Sequence, residues 1–369
     1  RCNLTHSDEI EDFLPKYFAG GKFLRQAFGQ FFWTDLVAFL GEIGVETVCE
    51  ESGRVFPASD RAADVVAAFK VWLNKLNVIV HRELPVESLA IAGGTAVGVS
   101  AGDELIGADA VVLATGGRSY PTTGATGDGY RMAADAGHRV VPVQASLTPL
   151  ETAGRLCKKL QGVSLTGVAV SAVTGKKTAD ERHGEILFTH FGLSGPAVLN
   201  LSRQVIATRR AGQKVAVSID LVPSQTIEEL DRRLERLCSE HGRKQAGSVL
   251  HELLPRRVAS VAFRQNGIDE TKQAAQLSAE ERRTIAGWIK DVRMDVTGDR
   301  GFVDAITTAG GVDTRQVDPK TMESRVVNNL YFCGEVLDID GESGGYNLQA
   351  AFSTGWVAGR SAALGGNRA

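Results

Sequence analysis

Residues 331–359 read YFCGEVLDIDGESGGYNLQAAFSTGWVAG, and no other stretch of the chain restricts its fold as tightly. Leu330 to Cys333 make a short apolar run of the kind that fills a strand buried on both faces. The run ends in Gly334 and Glu335. A second glycine group follows at Gly341, Gly344 and Gly345, ahead of an alanine-rich pattern of helical character. Strand, glycine turn and helix in that order predict an α/β sheet, whose ligands collect where strands end and helices begin. Glu335 then stands at the rim of the sheet, placed to accept hydrogen bonds from sugar hydroxyls. Gly344-Gly345-Tyr346-Asn347 opens the helix, whose N-terminus carries roughly half a positive charge. Gly355 and Gly359, four apart, are expected to let that helix pack closely on its sheet.

A second junction of this kind lies at 111–130, VVLATGGRSYPTTGATGDGY. A buried strand, expected within 108–117, runs into Gly116 and Gly117, and Gly124, Gly127 and Gly129 precede a helix. One such loop needs nothing beyond turns at positive φ. Two loops at strand–helix junctions, one of them bearing an acid, suggest a dinucleotide pocket. Glycine is abundant throughout, 41 of 369 residues, or about 11% against a usual ~7%.

A length of 369 residues is ample for two or three domains. A net charge of −3 shows no overall basic excess, and no apolar run is long enough to span a membrane. Cys2, Cys49, Cys157, Cys238 and Cys333 are scattered and lack any C-x-x-C pair. That spacing argues against a disulfide framework or a zinc site and for a reducing cytoplasm. His81, His138, His183, His241 and His251 show no metal-ligand spacing.

The texture of the chain changes three times. Helical spacing runs through 22–41 and again through Val65 to Leu76, and strand-like pieces follow at 77–81, 86–91 and 95–99. From 146 the pattern becomes β-like and partly alternating, broken by a helix with Ser194 as its expected N-cap and Pro196 in its first turn. Residues 226–292 read as helical, with Ile227, Leu230, Leu234 and Leu237 on one stripe and a Ser278/Glu281 capping box. The organisation expected is an α/β domain from 1–145 and 308–369, a β-rich insertion from 146–225 and 293–307, and a helical subdomain at 226–292.

Four segments occur together and in order: RCNLTHS at 1–7, LATGGRSYPTTGATGDGY at 113–130, GEILFTHFGLSGPAVLNLS at 184–202, and 309–359. In these the chain resembles the FAD-dependent oxidoreductases of the BaiN/RdsA type, also described as aminoacetone oxidase-like flavoproteins. The resemblance spans essentially the whole sequence. It implies a split FAD-binding domain of the two-dinucleotide-binding kind, with a β-barrel-like and a helical insertion. It also implies a βαβ unit carrying G-x-G-x-x-G ahead of Arg1, so the chain as given is expected to hold FAD weakly or not at all.

By position in the family motifs, Arg1, Cys2 and Asn3 are expected along the pyrophosphate–flavin stretch, and Leu84 at the adenine. Thr115, Gly116 and Gly117 are expected on the adenosine side, and Gly334 and Glu335 at the rim of the sheet, Glu335 meeting the ribityl chain and flavin edge. Asn347 and Leu348 should meet the ribityl chain and the pyrimidine edge of the flavin. His6 stands where many relatives have asparagine.

Two residues are candidates for proton transfer. Cys2 is the cysteine nearest the expected flavin; it either donates a proton or packs beneath the cofactor. His190 lies in FTHFGLSGP on the insertion, where it is either an acid–base group or a hydrogen-bonded turn residue. The resemblance implies reduction of a conjugated C=C, in an enone-like small molecule or in uracil of ribosomal RNA, with NAD(P)H as electron donor. Its alternatives are an amine oxidase using oxygen, and a truncated, non-catalytic form without FAD. Residues 226–293 hold thirteen Lys/Arg against eleven Asp/Glu, a balance that allows RNA without demanding it.

Overall fold

The strand Val111–Leu113 lies parallel to Leu330–Phe332, with Leu330 opposite Val111 and Phe332 opposite Leu113. Segments from the two ends of the chain therefore share one sheet, as a split α/β domain requires. This computed structural model describes residues 1–175 and 177–365. The chain forms two compact units, Arg1–Ser146 with Gly301–Ala369, and Leu147–Arg300.

In the first unit, Leu330–Phe332 is buried throughout, whereas its partner strand is covered on one face only, Val112 being 37% exposed. Leu330, Phe332, Val336 and Leu337 are fully buried in one cluster with Phe13, Leu24, Ala27 and Val357. A side chain such as Phe332 contributes roughly 2–3 kcal/mol by leaving water. Val140–Ser146 pairs antiparallel with Thr307–Val312, and Ser88–Ala92, Thr95–Ala101 and Glu104–Gly107 form a three-stranded meander. The C-terminal helix, Tyr346–Gly365, buries Gln349, Ala350, Ser353, Thr354, Val357 and Ala358.

Several local expectations need correction. Residues 22–41 form two helices, Gly21–Phe28 and Trp33–Glu42, because Asp35 caps the backbone N–H of Phe32 at 2.8 Å and starts a new helix there. Residues 77–81 are not a strand. Val78, Ile79 and Val80 are exposed, Ile79 by 80%, and no strand pairs with them among the described residues. β-propensity without a neighbouring ladder does not make a strand. The apolar run 108–117 contributes only Val111–Leu113. Gly355 and Gly359 do not bring the helix against its sheet: a Cβ on either would meet nothing within 4 Å. Gly355 opens instead on a groove lined by Phe39, Phe69, Trp72, Phe352 and Trp356.

In the second unit, six strands close a barrel among the described residues, with Leu150–Thr152, Gly192–Ser194, Lys177–Phe188, Ser164–Thr174, Ala216–Asp220 and Val292–Asp299 in that order around it. The helices Ile227–Glu240, Arg256–Gln265 and Ala279–Lys290 share its core, since Leu230, Val258 and Ile289 belong to one cluster with Val170, Val217 and Ile219. The Ser278/Glu281 capping box is present, and Thr226 forms another with Glu229. Ser194 ends a strand and is not a cap. Gly195, at φ +94°, precedes the helix Pro196–Arg210. Its backbone passes so close to Glu185 and Ile186 that a side chain would not fit.

Candidate functional site

The C-terminal rim of the parallel pair gathers two of the sequence motifs. The N–H of Cys333 donates to the carbonyl of Leu113 at 3.3 Å, so both strands end side by side. From there Thr115, Gly116 and Gly117 lie next to Gly334 and Glu335. A Cβ on Gly117 would stand 2.8 Å from the Glu335 carboxyl carbon, and glycine is what lets the loop approach. The backbone N–H groups of Thr308 and Gly117 donate to that carboxylate.

Burial pushes the Glu335 carboxyl up to about 7, partly offset by those two donors and reinforced by nearby Asp340. Two backbone bonds leave lone pairs over on a group that can accept about four. The Thr308 hydroxyl holds the glycine loop from the other side, accepting from the N–H of Arg118 at 2.9 Å and of Ser119 at 3.0 Å. The Tyr130 hydroxyl donates to the Glu335 carbonyl at 3.1 Å, and burial holds that phenol well above its usual range.

A second group forms at the start of the C-terminal helix. Gly345, at φ +100°, has room only for a hydrogen, because a Cβ there would lie 2.5 Å from the Thr5 carbonyl group. The N-terminal segment is thereby laid against the helix start. His6 stacks on Tyr346, with ring centroids 5.2 Å apart and planes at 16°, and the Tyr346 hydroxyl donates to Asp8 at 2.9 Å. The Asn347 side chain accepts from the N–H of Gly341 at 2.9 Å and donates to the carbonyls of Gly341 and Glu342. Gln349 makes the first backbone rung, to Gly345. The N–H groups of Tyr346, Asn347 and Leu348 precede it and are the helix's free donors. Leu348 is exposed.

The remaining expected residues are more dispersed. Arg1 is half-exposed, paired with Glu50 and Asp60 and lying over the Phe56 ring at 3.9 Å. Cys2 is half-buried against the cluster of Leu4, Phe31 and Leu36, and burial raises its thiol. Leu84 is half-buried in the irregular stretch before Ser88–Ala92, and no hydrogen bond or ring contact ties it to either group. His190 belongs to the second unit. It is exposed at the turn between Lys177–Phe188 and Gly192–Ser194, edge-on to Phe191 at 5.0 Å.

Thr308, Tyr130 and Asp8 were not anticipated. Nothing local marks them, because each acts on a residue far away in sequence. Buried TTAGGV at 307–312 was the only available sign that a hydroxyl was being placed inside the sheet.

These residues fit a dinucleotide. Asn3 Oδ1, Thr307 Oγ1 and Gln349 Oε1 are buried in this unit without a hydrogen-bond partner. Leaving a buried polar atom unsatisfied costs about 1–3 kcal/mol. A Cβ on Gly116, at φ +72°, would meet nothing within 4 Å. Orphaned acceptors and an acid at the rim suit the hydroxyls of a hydroxyl-rich cofactor, and open glycine backbone and the helix-start N–H groups suit its anionic part.

A split α/β unit with this rim defines a flavoenzyme of the FAD-dependent oxidoreductase class. The chain matches the HI0933-like protein Rossmann domain over residues 1–361 and belongs to that family. It is 30% identical over 363 residues to the 3-dehydro-bile acid delta(4,6)-reductase of Clostridium scindens, covering 98% of this chain and 88% of the relative. It is 32% identical to the ribosomal RNA dihydrouridine synthase of Escherichia coli, over 91% of this chain and 80% of that one. The solved 3-ketosteroid-delta4-(5alpha)-dehydrogenase of Rhodococcus jostii RHA1 is similar in backbone at a TM-score of 0.48 and 14% identity, covering 98% of this chain and 85% of its own.

Proposed function

We propose that the protein reduces a conjugated C=C bond, with electrons drawn from NAD(P)H, and that it works in a reducing cytoplasm. One observation carries this reading. The relatives similar over nearly the whole chain are named for a bile acid reductase and for dihydrouridine synthesis, and dihydrouridine differs from uridine by two hydrogens across one C=C. Reduction of either bond adds a hydride to one carbon of a C=C conjugated to a carbonyl and a proton to the other.

When bound, FAD supplies hydride transfer at its N5. The protein's own groups do the rest. Gly116, Gly117 and Glu335 would hold the hydroxyl-rich part of the cofactor at the rim. The helix start at Tyr346–Leu348 favours negative charge by roughly 0.3–1 kcal/mol when exposed, and by up to about 2 when partly buried. Cys2, whose thiol burial keeps protonated, is the proton donor we assign within the first unit, and His190 is a separate acid–base candidate on the second unit.

Stopped-flow measurement of the two half-reactions tests this. The holoenzyme should be reduced by NAD(P)H and reoxidised by an enone or a uridine-containing RNA, and His190→Ala should slow only the second step. Rapid reoxidation by oxygen, with reduction by small amines and no response to either acceptor, would overturn the proposal in favour of an amine oxidase.

A further inference from the structure

Charge in this chain is divided unevenly between its two units. Residues 147–300 hold 24 Lys/Arg against 18 Asp/Glu, while the rest holds 17 against 26. A near-neutral protein thus contains one cationic unit and one anionic unit. Part of the surplus is concentrated in a single place. The helix Leu156–Leu160 and its N-cap carry Arg155, Lys158 and Lys159, and the helix Arg256–Gln265 carries Arg256, Arg257 and Arg264.

Arg257 fastens the two helices together, donating to the carbonyls of Lys159 at 2.7 Å and Gln161 at 2.9 Å. Between them lies a cleft of about 380 Å³ lined by Lys159, Arg256, Arg257, Ser260 and Arg264. Arg264 is paired with Glu270 at 3.1 Å. Arg155, Lys158, Lys159 and Arg256 are exposed and have no carboxylate partner among the described residues. Lys159 and Arg256 line the cleft, and Arg155, at the N-cap, and Lys158 stand on the same short helix as Lys159. Like charges held so near repel, and an arrangement that keeps them unpaired is suited to an anion.

We infer that this cleft binds the phosphodiester backbone of a folded RNA and so anchors the substrate. The inference rests on the reductase reading above and selects its RNA branch. Size favours a polymer over a single phosphate. Arg256 and Arg264 are eight residues apart, about 12 Å along the helix, whereas a nucleic-acid strand sets its phosphates at roughly 3.4 Å of rise. An anionic membrane fits less well, because interfacial helices present a broad apolar face. Here Val258, Ala259, Ala262 and Phe263 are turned into the core, and Val261, itself buried, is the one apolar side chain of this helix that borders the cleft.

The test is fluorescence anisotropy of the full chain with a fluorescein-labelled RNA hairpin bearing a uridine-rich loop, titrated between about 50 and 200 mM salt. Each neutralised phosphate adds about 0.7–0.9 to the log–log salt slope. Lys159→Ala with Arg256→Ala should lower that slope by about 1.5 and weaken binding roughly tenfold, with an unchanged melting temperature. Arg233→Ala with Arg236→Ala, on the exposed face of Ile227–Glu240, should leave binding as it was. Equal binding by wild type and the Lys159/Arg256 variant overturns the inference. So does an equal loss in the Arg233/Arg236 variant, or tighter binding to phosphatidylserine vesicles than to RNA. If the cleft binds RNA as expected but the holoenzyme reduces no uridine in it, the anchor stands and the reductase reading for RNA fails.

Discussion

The Thr308 hydroxyl accepts hydrogen bonds from two consecutive backbone N–H groups, of which that of Ser119 is 3.0 Å away, and it lies 2.9 Å from the Ser119 hydroxyl as well. One buried side chain therefore ties the strand Thr307–Val312 to the glycine loop, and its own N–H donates to Glu335. Thr308→Val keeps the shape and removes the acceptor, leaving two N–H groups without their partner. It should cost about 2 kcal/mol or more in urea unfolding, whereas Thr308→Ser should cost only the lost methyl, about 1 kcal/mol. Equal losses in the two variants would show that the hydroxyl is not what holds the loop.

Glu335 sets a pH dependence of the first unit. Its carboxyl titrates near 7 when folded and near ~4.3 when unfolded. Between those values the folded state binds the extra proton, so Glu335 makes stability fall as pH rises from about 4.5 to 7 and level off above. His138 acts in the opposite sense. Burial lowers its imidazole, so its contribution is lost as pH falls below about 6.5. Comparing wild type with Glu335→Gln isolates the first effect. The variant's denaturation midpoint should lose most of the downward slope, a difference on the order of 3 kcal/mol between pH 5 and 8. Parallel curves would disprove the assignment.

Glycines near the C-terminal helix should respond to alanine with opposite signs. Gly345→Ala forces a Cβ into the Thr5 backbone at positive φ and is expected to destabilise by about 2 kcal/mol or more. Gly355→Ala and Gly359→Ala add a Cβ in open space within the helix. Each should stabilise by about 0.5–1 kcal/mol. Thermal melts of the three variants decide the matter, and a destabilised Gly355→Ala would mean that something covers that face.

Cys2 can be separated from a packing residue by kinetics. As proton donor, its replacement in Cys2→Ala should slow the acceptor half-reaction by about 10²-fold or more and leave reduction by NAD(P)H unchanged. It should also abolish the loss of rate at high pH that follows ionisation of a thiol raised by burial. A packing role would show as lower stability, with both half-reactions and the pH profile intact.

Strand–glycine–helix order at 111–130 and 330–359 was enough to predict a sheet made from both ends of the chain. Buried apolar runs and glycine turns are local signals, and the Ser278/Glu281 and Ile227–Leu237 patterns are equally local. Where a segment's conformation depends on a distant neighbour, the sequence misleads. Val78–Val80 have strand composition but no ladder. Gly29 to Phe32 interrupt an unbroken helical stripe because Asp35 caps Phe32. The site divides along the same line. Glu335 and the paired glycines could be read from their position at strand ends, since chain direction alone puts them at the rim. Tertiary structure decided that Glu335 is buried and raised to about 7, that Thr308 anchors a loop 190 residues away, and that the Asn347 side chain bonds Gly341 and Glu342. It also decided that Lys159 lines one cleft with Arg256, Arg257 and Arg264. Hydrogen bonds, desolvation and charge act across space, and only folding brings those partners within reach.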